Sequence, residues 1–130
     1  MPIAYQIDHD RRLVVARGQG ILTDEDVFGY QRDVWSRQDV QGYSELVDMS
    51  AVEQIDGASV DRMRQLASLS ASMDAASSPS RFAIVAPSDA AFGLGRMYQT
   101  FRHMEGSSTK EISVFRTVSE ALQFLGLEAL

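Results

Sequence analysis

"ELVDMSAVEQIDGAS", Glu45–Ser59, is the stretch that decides the fold. Its apolar start predicts a short strand, Ser44–Asp48, with Asp-Met-Ser beginning the loop at its end. Beyond Ile55 and Asp56, the residues Val60, Met63, Leu66, Ala67 and Met73 recur at helical spacing, which predicts a helix from about Gly57 to Asp74. A strand that feeds a helix without a hairpin turn is half of a β-α-β unit. In sheets built from such units, ligands and partners meet the carboxyl ends of the strands. Asp48 and Ser50 are therefore expected at a strand end. Asp56 and Ser59 are expected where a helix begins, with N–H groups that favour a carboxylate or a phosphate. Purely structural duties fit the same pattern, with Asp48 ending the strand and Asp56 capping the helix.

The flanking sequence repeats the alternation. Ile3–Ile7 and Leu13–Arg17 are strand-like runs around the polar "DHDRR", a hairpin signal. Gly18 and Gly20 then loosen the chain before Thr23, which forms a capping pattern with Asp26; Val27, Phe28, Val34 and Trp35 follow on one side of a helix. "AASSPS", residues 75–80, reads as a loop, and "RFAIVAPS", residues 81–88, as a central strand covered on both faces. Ser88 opens a helix to about Glu105, with Leu94, Met97, Tyr98, Phe101 and Met104 inward and Gly106 as its stop. "KEISVFR" gives the last strand. "TVSEALQFLGL" gives the last helix, capped by Thr117 and Glu120, with Val118, Ala121, Leu122 and Leu125 inward. The order β-β-α-β-α-β-α-β-α predicts an α/β fold: a mostly parallel central sheet with an N-terminal antiparallel hairpin.

Composition narrows the function. A chain of 130 residues is expected to form one domain. It has no cysteine, and His9 and His103 are its only histidines, so a metal site, disulfide or thiolate chemistry is not expected. The net charge of −6 comes with no lysine or arginine cluster to meet a phosphate backbone, which argues against nucleic acid. The longest apolar run, Phe82–Ala86, is five residues against the roughly 20 that span a bilayer. With no signal-like start in "MPIAYQIDHD", a cytoplasmic protein is expected. Eleven of the twelve basic residues are arginine, which is read as a bias of composition.

"FGLGR" lacks the longer glycine pattern of a dinucleotide site and the Lys-Ser/Thr ending of a phosphate loop. Gly93 and Gly95 are expected to let a helix approach a strand closely. Arg96 faces either an anionic ligand or an acid such as Asp89 or Asp48. No Gly-x-Ser-x-Gly elbow and no base beside a nucleophile can be found, so no enzyme and no cofactor are expected. Phe28, Tyr30, Trp35, Tyr98 and Phe101 are core residues, or line an apolar pocket, or contact a second copy.

"LVDMSAVEQIDGAS" resembles the core segment of STAS domains, the fold of anti-sigma-factor antagonists. "RFAIVAPSDAAFGLGRMYQTF" followed by "EISVFRTVSEALQFLGL" is similar to the SpoIIAA-like (STAS/SEC14-like) bacterial family, over nearly the whole chain. The resemblance implies a small STAS-like interaction or regulatory module. In phosphorylated STAS antagonists this helix opens Asp-Ser-Ser-Gly, and the second serine accepts phosphate. Here Asp56 is followed by Gly57, Ala58 and Ser59, so Ala58 stands at the acceptor's place, and Ser59 replaces it only if the helix starts one residue later. The expected function is docking of a protein partner, or of a second copy as a homodimer, through the strand-end loops. The alternative is a small apolar or anionic, lipid-like ligand held beneath "PSDAAFG", with Asp48, Ser50, Ser88 and Arg96 near the mouth.

Overall fold

The computed structural model describes residues 2–74, 79–106 and 109–130; of the loop expected at 75–80, residues 75–78 lie outside them, and Ser80 already belongs to a strand. Strand β1 (Ile3–Asp8) turns back antiparallel onto β2 (Leu13–Thr23), with Arg12 in the left-handed region at the turn. Helix α1 (Asp24–Trp35), a short 3₁₀ turn and β3 (Ser44–Asp56) follow. Then come α2 (Val60–Ser72), β4 (Ser80–Val85), α3 (Asp89–Met104), β5 (Lys110–Phe115) and α4 (Val118–Leu125). The element order is the one the sequence predicts.

The described strands form one sheet in the order β1-β2-β3-β4-β5, parallel from β2 onward. Each crossover moves one strand in the same direction. Crossovers of one hand must then place α1, α2 and α3 on one face, and the core clusters agree. Phe28 of α1, Leu66 and Ala67 of α2, and Ala91 and Tyr98 of α3 pack with Phe82, Ile84 and Val114 of the sheet. Ala121 of α4 packs on the opposite face with Leu13, Val15, Leu46, Ala83 and Val85. The strand order never reverses, so the sheet has no switch point at which to open a crevice.

Capping fixes the helix starts. Thr23 Oγ1 accepts the Asp26 N–H while the Asp26 carboxylate accepts the Thr23 N–H, the full reciprocal box. Thr117 Oγ1 likewise accepts the Glu120 N–H. Gly95 permits close helix–sheet approach: a Cβ there would lie 3.0 Å from Val114 Cγ1. A Cβ on Gly93 would meet nothing within 4 Å, so that glycine has no such duty. Val60 and Met104, expected inward, are 50% and 71% exposed, each at a helix end that overhangs the sheet.

The largest departure concerns length. β2 and β3 continue well past Arg17 and Asp48, and β4 pairs with β3 only along Glu45–Asp48. The remainder of β2 and β3 runs on as a two-stranded extension. Between the pairs Arg17↔Asp48 and Thr23↔Asp56, β3 uses two residues more than β2, so the extension is bulged. Gly18 and Gly20 sit within it rather than ending the strand.

Candidate ligand site

Alternation along the strands aims Ala16 of β2, Glu45, Val47 and Met49 of β3, and Phe82 and Ile84 of β4 at the face covered by α1–α3. These side chains and the helices enclose an apolar cleft of about 120 Å³. Val27 and Phe28 of α1, Met63 and Leu66 of α2, and Leu94 and Tyr98 of α3 form its other walls. The cleft exists because α1 touches α2 far less than α2 touches α3, leaving a seam above the sheet. Its outer end is built by the two-stranded extension, through Leu22 and Ile55, and by the starts of α1 and α2.

At that outer end Arg62 ties α2 to α1. Its guanidinium donates to Asp24 (2.6 Å), Glu25 (2.9 Å) and Gln65 (2.9 Å), and lies 4.1 Å from the Phe28 ring centroid. The Arg62 hydrogen bonds hold the Asp24 carboxyl below its ordinary range. Both side chains are part-exposed, 30% for Arg62 and 23% for Asp24, so this is the end open to solvent.

The inner end is polar and dry. Glu45 is only 3% exposed. Its Oε2 accepts from Tyr30 O–H (2.8 Å) and Trp35 Nε1–H (3.2 Å), and its Oε1 lies 3.6 Å from Lys110 Nζ. Lys110 also sits 3.8 Å from the centroid of the Trp35 ring. Behind this pair Arg102 Nη2 donates to Asp74 (2.7 Å), and Ser70 Oγ shares a 2.7 Å hydrogen bond with Tyr98 O–H. Burial raises the Glu45 carboxyl above its ordinary range against the pull of Lys110, and burial lowers Lys110 against the pull of Glu45. Burial also pushes the Tyr98 hydroxyl up to about 12. For both members of the pair, desolvation outweighs attraction.

Comparison of the backbone with solved structures bears on the fold. An uncharacterized protein of the DUF3478 family from Shewanella loihica PV-4, described as having a SpoIIAA-like fold, aligns with a TM-score of 0.60 at 18% identity, over 95% of this chain and 93% of that one. The chain has a SpoIIAA-like fold. The anti-sigma factor antagonist SpoIIAA in its unphosphorylated form is also similar, with a TM-score of 0.48 at 15% identity over 95% of this chain and 98% of that one. No family model and no curated protein matches the sequence.

Within the SpoIIAA-like fold, the residues expected at a strand-end site are dispersed. Asp48 and Ser50 lie inside β3, not at its end. Asp48 shares the alternation of Leu46, toward α4, and so faces away from the cleft. Its Oδ1 accepts both the Ser50 N–H (2.9 Å) and the Ser50 O–H (2.6 Å), satisfying backbone that the bulge leaves unpaired. Asp-Met-Ser is thus a bulge device, with Met49 between the two polar residues turned into the cleft.

Asp56 ends β3 and accepts from Gln54 Nε2 (2.6 Å), so it does not cap α2. Ser59 does, its Oγ accepting the Arg62 N–H at 3.1 Å. Gly57 makes the turn between them at φ 77°, a conformation that disfavours a side chain. Ala58, at the place of the phosphate acceptor in the resembled family, lines the cleft's outer end. Ser88 caps α3 through the Ala91 N–H (3.1 Å) and Arg96 is exposed on that helix; neither lines the cleft. Asp89 pairs with Arg116 (2.8 Å), not with Arg96.

Glu45 and Lys110 escaped the sequence reading. Glu45 lies inside the strand expected at Ser44–Asp48, and nothing in its local sequence sets it apart. Lys110 had a signal: it is the one lysine among twelve basic residues, and it opens a strand.

No helix among the described residues is long and apolar enough to cross a membrane.

Proposed function

We propose that the protein is a non-enzymatic binding module that holds a small, mainly apolar molecule in the cleft and signals occupancy to a protein partner at the cleft's outer end. The observation that carries the reading is the cleft itself. A dry apolar cavity of about 150 Å³ binds a ring the size of benzene, and the 120 Å³ here suits a molecule of similar size. Met49 and Met63 in its walls are adaptable side chains that mould to such guests. The polar groups that reach the cleft's inner end, Tyr30, Gln31, Glu45 and Tyr98, are each engaged by another protein group, which favours binding over catalysis.

The partner's place is supported by what surrounds the outer end. Ile21, near the end of β2, and Val60, the first residue of α2, are 54% and 50% exposed. Asp56 and Ser59 lie close to Val60 in sequence and are exposed as well. A guest that spreads α1 from α2 changes this surface, because Arg62 spans both helices. A docking role without any ligand leaves the cleft unexplained.

Native mass spectrometry on protein purified from its own host without detergent tests the reading. The expected result is a reproducible added mass that disappears on denaturation. A bare mass that stays bare after incubation with toluene contradicts it. Pull-downs with the loaded and stripped forms then separate a foreign partner from a second copy of the chain.

A further inference from the structure

The charge arrangement along the cleft restricts its guest, on the reading that the cleft is a ligand site. We infer that the cleft selects a neutral molecule with an apolar body and a hydrogen-bond-donating head, such as an alcohol or phenol, and rejects a carboxylate of the same size. Glu45 is the charged side chain at the inner end and lines the cleft. Glu45 lines both the cleft and a separate small space beyond it, whereas its positive neighbour Lys110 lines only the second, so it is the negative member of the pair that meets the guest.

A carboxylate has room for about four hydrogen bonds. Oε2 of Glu45 takes two, from Tyr30 and Trp35, while Oε1 has the Lys110 ammonium at 3.6 Å. By this count the Glu45 carboxylate keeps one acceptor position, which we assign to a donor on the guest. Among the described residues no cation lines the cleft at this end, because Lys110 lies behind Glu45, so an anionic head meets the carboxylate first, in a buried setting where like charges repel strongly.

Reversing the guest does not help an anion. The cation at the outer end, Arg62, is already committed to the two carboxylates of Asp24 and Glu25. Among the described residues, the charged groups lining the cleft are Asp24, Glu45 and Arg62, two negative and one positive. An anionic, lipid-like ligand, one of the chemistries the sequence left open, therefore fits this cleft poorly.

Three molecules of one size provide the test: toluene, benzyl alcohol and benzoate, each titrated into the full chain and followed by amide chemical shifts of cleft residues. Benzyl alcohol is expected to bind at least as tightly as toluene, and benzoate at least about tenfold more weakly than either. Benzoate binding as tightly as benzyl alcohol overturns the inference while leaving the cleft a ligand site. Binding of none of the three overturns both readings.

Glu45→Gln, which keeps shape and removes charge, is expected to narrow the benzoate penalty by about tenfold. Should that variant fold poorly with Lys110 left behind, Glu45→Gln combined with Lys110→Met tests the same point. An unchanged penalty in a folded variant assigns the discrimination elsewhere and refutes the role of Glu45.

Discussion

Removing one member of the buried Glu45–Lys110 pair is expected to harm the fold far more than removing both. Lys110 is 92% buried by side chain and Glu45 is 96% buried, from exposures of 8% and 4%. Glu45→Gln preserves an acceptor for Tyr30 and Trp35 but deprives the buried Lys110 ammonium of its ion-pair partner Glu45. Breaking a buried pair in this way costs about 3–5 kcal/mol. Because Asp74 also attracts Lys110, the lower end of that range applies. Lys110→Met leaves Glu45 with two neutral donors and removes the contact with Trp35, worth about 2 kcal/mol when desolvated. The double variant removes both desolvation penalties and is expected near neutral, within about 1 kcal/mol of the parent.

Urea unfolding reads these differences directly. With a slope of about 1.5 kcal/mol/M, a 3 kcal/mol loss moves the midpoint by about 2 M. The pH trends of the two single variants run in opposite directions. In Lys110→Met, Glu45 has a folded pKa raised above its unfolded value near 4.5, so stability is fullest below that value and falls as pH rises through the folded pKa. In Glu45→Gln, Lys110 has a folded pKa below its unfolded value near 10.5, so stability rises as pH climbs between the two. Single losses that add to the double within about 0.5 kcal/mol refute the coupling. So does either pH trend with the opposite sign.

The other expectations concern backbone and packing. Gly57→Ala places a Cβ at φ 77° against the Asp24 carboxylate, and should cost about 1–3 kcal/mol in urea unfolding, with Gly57→Asn less harmful than Gly57→Val. Gly95→Val drives branches into Val114 and Ile84 and should cost about 1–3 kcal/mol or more, whereas exposed Gly93→Ala should gain about 0.4–1 kcal/mol. Equal effects at the two glycines contradict the packing described here. Thr23→Ala removes the α1 cap and should lower stability by about 1 kcal/mol, with hydrogen exchange rising first at the N–H of Asp26.

The order of strands and helices was legible because it is carried locally: Thr23, Ser88 and Thr117 each precede a helix and each accept its N3 amide. Strand extent was not, since glycine and Asp-Met-Ser are ordinary chain breakers until tertiary pairing makes them bulge residues. That one misreading displaced the expected site. Taking Asp48 as a strand end put it and Ser50 at a ligand's mouth, while the bulge uses them on the other face and leaves Met49 to the cleft. The cleft itself is a gap between α1 and α2, and a gap has no residues of its own. Glu45 has its meaning from Tyr30 and Trp35 of α1 and Lys110 of β5, which only the tertiary fold brings around it.

The claim on which the functional reading rests is that the space between the sheet and α1–α3 accepts an apolar guest. Crystals pressurised with xenon test it most directly, since xenon enters dry apolar cavities of this size. The account predicts a xenon site among Val47, Met49, Phe28, Met63 and Ile84, and its loss in Ala58→Trp, which fills the outer end of the cleft. Xenon elsewhere in the crystal but none in this space would contradict it.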